Sequence, residues 1–89
     1  MRQPSDSLID YPCDFPIKVM GLKVDGFVEA MCFVAKQFDP DWQPDSLTHR
    51  ESKAGKYLGL TLTLRVTSRE HLDEVYRTLS SHPMVKVVL

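Results

Sequence analysis

The chain has 89 residues, of which 43% are hydrophobic and 26% are charged, as in a single soluble globular domain. Its 11 basic and 12 acidic residues nearly cancel, and the sequence pI is near 6.3. This balance gives no bulk electrostatic argument for a nucleic acid or an anionic membrane as the partner.

Targeting and redox signals are absent from the sequence. Cys13 and Cys32 form no CxxC pair, and a disulfide framework would need more cysteines in a secretory context. The first six residues have no apolar run behind them, and no stretch approaches the ~18 apolar residues of a membrane-spanning helix. We therefore expect a cytoplasmic protein with two free thiols and no membrane contact.

The N-terminal region contains prolines and short polar residues, which predicts an extended arm over residues 1–14 and one domain over residues 15–89. Apolar side chains in the arm can be buried only against that domain. We expect Leu8, Ile9 and Tyr11 to give the arm this contact.

The first strand and helix follow from two different periodicities. Alternation over Phe15–Met20 predicts a strand that Gly21 ends. Apolar residues at three- and four-residue spacings then predict a helix over residues 24–38, with Gly26 in its first turn. Asp39-Pro40 ends this helix, because the residue before proline avoids helical geometry.

The middle of the chain has weaker signals. Residues 41–45 predict a loop, and residues 46–51 predict a strand in which Leu47 is the only large aliphatic residue. Such a polar strand suits the edge of a sheet. Residues 52–56 predict the hairpin turn that follows, in which Gly55 can adopt a positive φ.

The strongest pattern is the strict alternation over residues 57–66, which predicts a long strand with one buried face. Thr67–Glu70 has the capping-box spacing, which predicts a helix over residues 68–81. Met84–Leu89 predicts the last strand.

This order predicts an α+β, ferredoxin-like βαββαβ sandwich, in which two helices cover one face of a four-stranded antiparallel sheet. The first and third strands are expected at the centre. The opposite face of the sheet has no predicted cover. The side chains predicted on this open face are Lys18, Met20, Tyr57, Thr61, Thr63, Arg65, Lys86 and Val88.

Residues 8–21, Leu-Ile-Asp-Tyr-Pro-Cys-Asp-Phe-Pro-Ile-Lys-Val-Met-Gly, resemble the opening of the YbeD-like family of small bacterial proteins. Ser52, Gly55 and Tyr57 are similar to the family's Ser-x-x-Gly-x-Tyr hairpin, and Val85–Leu89 is similar to its ending. The resemblance covers nearly the whole chain. It implies a ferredoxin-like fold similar to the ACT regulatory domains that bind amino acids, and it leaves the biochemical function unassigned.

No residue pattern predicts catalysis or a cofactor. His49, His71 and His82 share no metal-ligand spacing, and we expect them at the surface. Cys13 is next to Asp14, whose charge opposes formation of a thiolate. We therefore expect a protein that is not an enzyme and that binds no metal or cofactor.

The best candidate site is the hairpin, and two interpretations of it stay open. In one, Gly55 serves the turn and Tyr57 packs against the arm. In the other, the hairpin amides hold a small anion or a carboxylate with help from a lysine. The residues of this candidate contact site are Ser52, Lys53, Gly55, Lys56 and Tyr57.

Two function classes can use this fold. We expect a non-catalytic regulatory or adaptor module that binds a small ligand or a protein partner through the sheet face or the strand edges. The alternative is an RNA-binding module, because the RNA recognition motif has the same strand order and stacks bases on aromatic side chains. None of the matching positions is aromatic, and this argues against nucleic acid; they are Lys18, Met20, Thr61 and Thr63. Only Tyr57, at the beginning of its strand, could stack a base.

The open face also bears on self-association. We expect a two-fold homodimer through the open face or the strand edges, since closed two-fold symmetry is the usual outcome for soluble oligomers. The alternative is a monomer whose open face is solvated, which antiparallel sheets tolerate.

Overall fold

The computed structural model describes residues 10–89, so the predicted contacts of Leu8 and Ile9 lie outside the described residues. The strands and helices follow one another in the predicted order. They are strand β1 (Cys13–Leu22), helix α1 (Phe27–Phe38), a 3-10 turn (Pro44–Ser46), strand β2 (Thr48–Glu51), strand β3 (Tyr57–Val66), helix α2 (Arg69–Ser80) and strand β4 (Val87–Val88).

The strands form one antiparallel sheet in the order β2-β3-β1-β4. β1 and β3 pair along their whole length, from Cys13 opposite Val66 to Leu22 opposite Tyr57. Both helices contact β3 and each other. The predicted ferredoxin-like sandwich is therefore confirmed, with the first and third strands at its centre.

β1 is longer than predicted at both ends, because it starts at Cys13 and continues through Gly21 to Leu22. Gly21 is buried, and a Cβ at this position would lie 2.7 Å from Cε1 of Phe27. The glycine therefore allows the start of α1 to pack closely on the sheet, and it does not end the strand as predicted.

The inward row of β3 forms the centre of the core. Its five aliphatic side chains, at alternate positions from Leu58 to Val66, are at most 7% exposed. Burial of each such side chain is worth roughly 1.5–3 kcal/mol. Trp42 is 3% exposed and joins this core, although its sequence position predicts only a loop.

α1 begins at Phe27, three residues later than its apolar stripe predicts. Gly26 is the N-cap residue and has a φ of 89°, a left-handed value that glycine adopts without steric cost. Val24 lies before this point and is 53% exposed, so it is not part of the buried stripe. The helix ends at Phe38, with Asp39 as its C-cap, as predicted.

A histidine fixes the start of α2 and links it to the end of α1. Ser68 is the N-cap, and its Oγ accepts the His71 N–H at 3.1 Å. Nδ1 of His71 accepts the Thr67 N–H at 3.1 Å, and Nε2 lies 3.0 Å from the Phe38 carbonyl oxygen. Because Nδ1 is an acceptor, the proton is assigned to Nε2, which donates to the last carbonyl of α1. His71 is thus a half-buried structural residue, and its predicted surface position is wrong.

β4 is much shorter than predicted. Only Val87 and Val88 are strand residues, opposite Met20 and Val19. This register places Val87 beside Met20 on the open face and Val88 against the core. The prediction of Val88 on the open face is therefore wrong, because so short a strand carries too little alternation to fix which side faces the helices. Lys86 is exposed and precedes β4.

Candidate binding groove on the open sheet face

Two rows of side chains cross the open face, because residues directly opposite each other on paired strands share a face of the sheet. The first row is Arg50, Gly59, Met20 and Val87. The second row is Thr48, Thr61, Lys18 and Leu89; the backbone of Leu89 exchanges both hydrogen bonds with Lys18. All four strands therefore contribute to one surface.

Gly59 interrupts the first row. It is the third residue of the ten-residue strand β3, and it leaves a gap between Arg50 on one side and Met20 on the other. A groove of about 300 Å³ lies over the two rows. Its other lining residues are Lys18, Val19, Thr48, Glu51, Ser52, Tyr57, Leu60, Thr61, Val87 and Leu89. This volume is at the lower end of small-molecule sites and suits one or two apolar groups.

Exposed apolar side chains are concentrated beside this groove. Met20 is 38% exposed, Val87 43% and Leu89 69%. The other exposed large hydrophobic residues described are Val24 and Phe33, which precede and lie in α1. A single exposed apolar residue is ordinary on a protein surface, but three of these five side chains border one groove.

The acidic side chain in the groove has an ion-pair partner, whereas two of its basic side chains have none among the described residues. Glu51 is in an ion pair with Lys23, so its carboxylate is already engaged. Lys18 and Arg50 make no ion pair with any residue in the described part of the chain. The groove therefore presents two cations next to an apolar floor, and it favours a ligand that carries an anionic group.

The predicted hairpin site lies at one end of this groove, but its amides serve the turn. The Ser52 N–H donates to the Tyr57 carbonyl at 3.0 Å, and the Tyr57 N–H donates to Ser52 Oγ at 3.1 Å. Gly55 has a φ of 70° and donates its N–H to the Ser52 carbonyl at 2.9 Å. These three amides are consequently not free to hold an anion.

The lysines of the hairpin differ in their contacts. Nζ of Lys56 lies 5.6 Å from the centre of the Tyr57 ring, a cation–π distance, and Lys53 is exposed without an ion-pair partner among residues 10–89. Tyr57 is opposite Leu22, whereas Tyr11 lies near the other end of β1. Tyr57 therefore does not pack against the described part of the arm, contrary to one of the two interpretations.

Other predicted open-face residues lie beyond the groove. Arg65 extends past it and contacts Asp14, with Nη1 3.4 Å from Oδ1. Thr63 is exposed and opposite Pro16. The structure thus gathers Lys18, Met20, Thr61 and the hairpin residues Ser52 and Tyr57 into one site.

Sequence reasoning missed the residues that shape the groove. Gly59 was read only as an alternating position of β3, and Arg50 only as a polar residue of an edge strand. The gap at Gly59 matters because Arg50 and Met20 lie on either side of it, and they come from distant parts of the chain. The one available signal was a glycine inside a strong strand pattern, which often marks a close approach to that strand.

The titratable groups give no sign of nucleophilic or metal chemistry in the described region. Residues 10–89 contain no group of three histidine, cysteine or acidic side chains placed to hold a metal ion. Burial raises the pKa of the Cys32 thiol, Lys36 partly offsets this effect, and Glu29 adds to it. A raised pKa disfavours the thiolate at neutral pH. Within the same residues, no helix is long and apolar enough to cross a membrane.

Comparison with known proteins identifies the family. Residues 6–89 match the family described as "Protein of unknown function (DUF493)". The chain belongs to this family. The YbeD-like resemblance found in the sequence, to a family of small bacterial proteins, is thereby confirmed.

Similar chains occur in several bacteria. The UPF0250 protein of Leptothrix cholodnii is 61% identical over 83 residues, which cover 93% of this chain and 91% of that protein. The UPF0250 protein of Bordetella pertussis is 56% identical over 86 residues, which cover 97% and 94%. That of Paraburkholderia phymatum is 51% identical over the full length of both chains. The chain is therefore similar in extent to these family members.

A solved structure has the same fold. The solution structure of protein HP0495 from H. pylori aligns with a TM-score of 0.75 and covers 100% of this chain and 97% of that chain. The sequence identity is 20%, so this likeness concerns the fold alone.

Proposed function

We propose that this DUF493 protein is a non-catalytic, cytoplasmic regulatory or adaptor module that binds a small ligand or a segment of a protein through the groove of its open sheet face. One observation carries the proposal. The groove combines exposed apolar side chains with Lys18 and Arg50, which have no acidic partner among the described residues. A ligand with an apolar group and an anionic group would bury the apolar group in the groove and pair the anionic group with these cations.

The position of the groove supports a binding role. Its floor is made of strands, and strands hold side chains more precisely than loops do. The core lies on the opposite face of the same strands. Except for Val19 and Leu60, which belong to the core, the residues that line the groove can differ between proteins without weakening the core.

The groove offers little for acid–base catalysis. Its one side-chain carboxylate, that of Glu51, is paired with Lys23, and no histidine or cysteine lines it. A general acid or base must lie within hydrogen-bond reach of a reacting group. This supports binding rather than turnover.

A thermal-shift survey of amino acids and small organic anions tests the proposal, since a ligand that binds only the folded state raises Tm by mass action. The matched control is Gly59→Val, whose side chain would enter the gap. A Cβ at Gly59 lies 3.4 Å from the Arg50 carbonyl oxygen, an ordinary contact. A shift that Gly59→Val abolishes supports binding in the groove, and an equal shift in both proteins contradicts it.

RNA binding is the rival function. Tyr57 is an aromatic residue at the end of a groove that also holds the free cations Lys18 and Arg50. Titration of labelled single-stranded RNA separates the two. Affinity tighter than micromolar that falls steeply with salt would favour RNA.

Self-association is a separate proposal. A face-to-face dimer would bring the unpaired cations of two open faces together, which is unfavourable. We therefore place the contact of a two-fold dimer at a strand edge, where main-chain groups are open to a further strand. Light scattering tests it: a mass near the 10.2 kDa of one chain contradicts the dimer.

A further inference from the structure

The groove has the size, direction and charge to accept one side of a helix. The two rows run across the strands, so an elongated ligand can lie along them and contact all four strands. The gap at Gly59 is one missing side chain in the first row, between Arg50 and Met20. An apolar side chain inserted there would touch Met20 and would be close to both cations.

We propose that the groove binds an acidic amphipathic helix of a partner protein, in which one large apolar side chain fills the gap at Gly59. This inference rests on the proposed function and names the class of partner. Residues three or four apart on a helix have Cβ atoms about 5–6 Å apart. A carboxylate at that spacing from the inserted side chain reaches the neighbourhood of Arg50 or Lys18.

The positive charge of the groove favours an acidic partner. Arg50 lies beside Gly59 in the first row, and Lys18 lies diagonally across in the second row, so cations stand on two sides of the gap. A second copy of this face carries the same cations, and like charges would meet across a two-fold axis. A basic partner is excluded for the same reason, and an acidic one is favoured.

The apolar border also suits a helix. Met20, Val87 and Leu89 form a patch beside the gap, on the side away from Arg50. The apolar stripe of an amphipathic helix would cover this patch, while its acidic flank would lie over the cations. The open face would then be covered as the other face is covered by α1 and α2.

Selection from a displayed library of helical peptides of about 15 residues tests the proposal. The full chain is the bait, and each position of the peptide is varied without bias toward acidic residues. We expect enrichment of peptides with an apolar stripe and acidic residues three or four positions from a large apolar residue. We expect the affinity of a selected peptide to fall about tenfold or more with Lys18→Glu plus Arg50→Glu.

Three variants separate the possible results. Gly59→Val should abolish binding by filling the gap, and Gly59→Ala should weaken it less. Lys36→Glu reverses an exposed cation on α1, outside the groove, and should leave affinity unchanged.

The outcomes distinguish this inference from the proposed function. Enriched peptides that depend on Gly59 but lack acidic residues overturn the inference and leave the groove as a binding site. Absence of any Gly59-dependent peptide overturns the inference, and the proposed function also fails if the thermal-shift survey finds no groove ligand. A dimer by light scattering that Gly59→Val dissociates would show that a second copy covers the face, and it would overturn the inference as well.

Discussion

The two faces of the sheet are built from the same strands but have opposite tasks. On the covered face, the alternate residues of β3 are aliphatic and buried beneath the helices, and β1 adds Ile17 and Val19 to this core. On the open face, the intervening residues are mixed: polar and charged side chains lie beside a proline, a methionine, a leucine, a tyrosine and a glycine. The covered face specifies the fold, whereas the open face is available for recognition.

The largest difference is expected between neighbouring residues of β3. Leu62 is completely buried, and Leu62→Ala should cost about 2–5 kcal/mol through lost burial and the cavity left behind. Thr63 points to the open face, and Thr63→Ala should change stability by about 0.5 kcal/mol or less. Urea denaturation measures both. Equal losses would show that the faces are wrongly assigned.

The two strand glycines provide the next comparison. Gly21→Ala places a methyl group against the Met84 carbonyl oxygen and the Phe27 ring, so it should destabilise by about 1–3 kcal/mol. Gly59→Ala meets only ordinary contacts and should be within about 0.5 kcal/mol of the parent. The midpoints of thermal or urea melts measure the stability of both variants against the parent protein. A damaging Gly59→Ala would mean that this glycine serves the fold, not the groove.

The sequence predicts the covered side of the sheet better than it predicts the turns of the backbone. The pattern at residues 57–66 is ten residues long, and it fixed both the bounds of β3 and its buried side. The start of α1 was misplaced because Val24 continues the apolar spacing, whereas Gly26 turns the backbone before the helix begins. Periodicity predicts which side chains are buried, but it does not predict the residue at which the backbone turns before a helix.

The site was less predictable than the fold. Lys18, Met20 and Thr61 were placed on the open face from alternation alone, and the register puts all three in the groove. Val87 and Leu89 were missed because the face presented by a two-residue strand is set by its partner. The sequence shows a glycine within the strand pattern, but Arg50 and Met20, which flank the gap, come from other strands, so no local pattern predicts the groove.

A smaller effect is expected from the link between the helices. His71→Ala removes hydrogen bonds to Thr67 and to the Phe38 carbonyl, and it should cost about 1–2 kcal/mol. His49 is exposed on the edge strand, and His49→Ala is the matched control with almost no expected change. Denaturant melts of both variants provide the measurement. Equal stability of the two variants would contradict the structural role of His71.

The smallest effect concerns alkaline pH. Burial raises the pKa of the Tyr76 hydroxyl above 10.0 and that of the Cys32 thiol above 9.0. Their neutral forms are thus favoured in the folded protein. Both groups give their full contribution to stability below their unfolded pKa values, and this contribution is lost as pH rises toward the raised values.

The test is a pair of melting series from pH 7 to about pH 10.5, a range that spans the ordinary tyrosine value. The parent protein should lose slightly more stability at the alkaline end than Tyr76→Phe or Cys32→Ala, in which one titrating group is absent. Parallel curves would show that these side chains are not buried enough to matter.

The pairing of β1 with β3 has a consequence for synthesis of the chain. β1 and α1 are translated first, yet the strand that completes their core ends at Val66. At about 5–20 residues per second, the buried side chains of β1 and α1 stay without their partner for several seconds. During that time, Ile17, Val19 and Phe27 form an uncovered apolar surface on the nascent chain. Protection of this intermediate from aggregation therefore depends on the speed of translation and on chaperones, not on the stability of the finished fold.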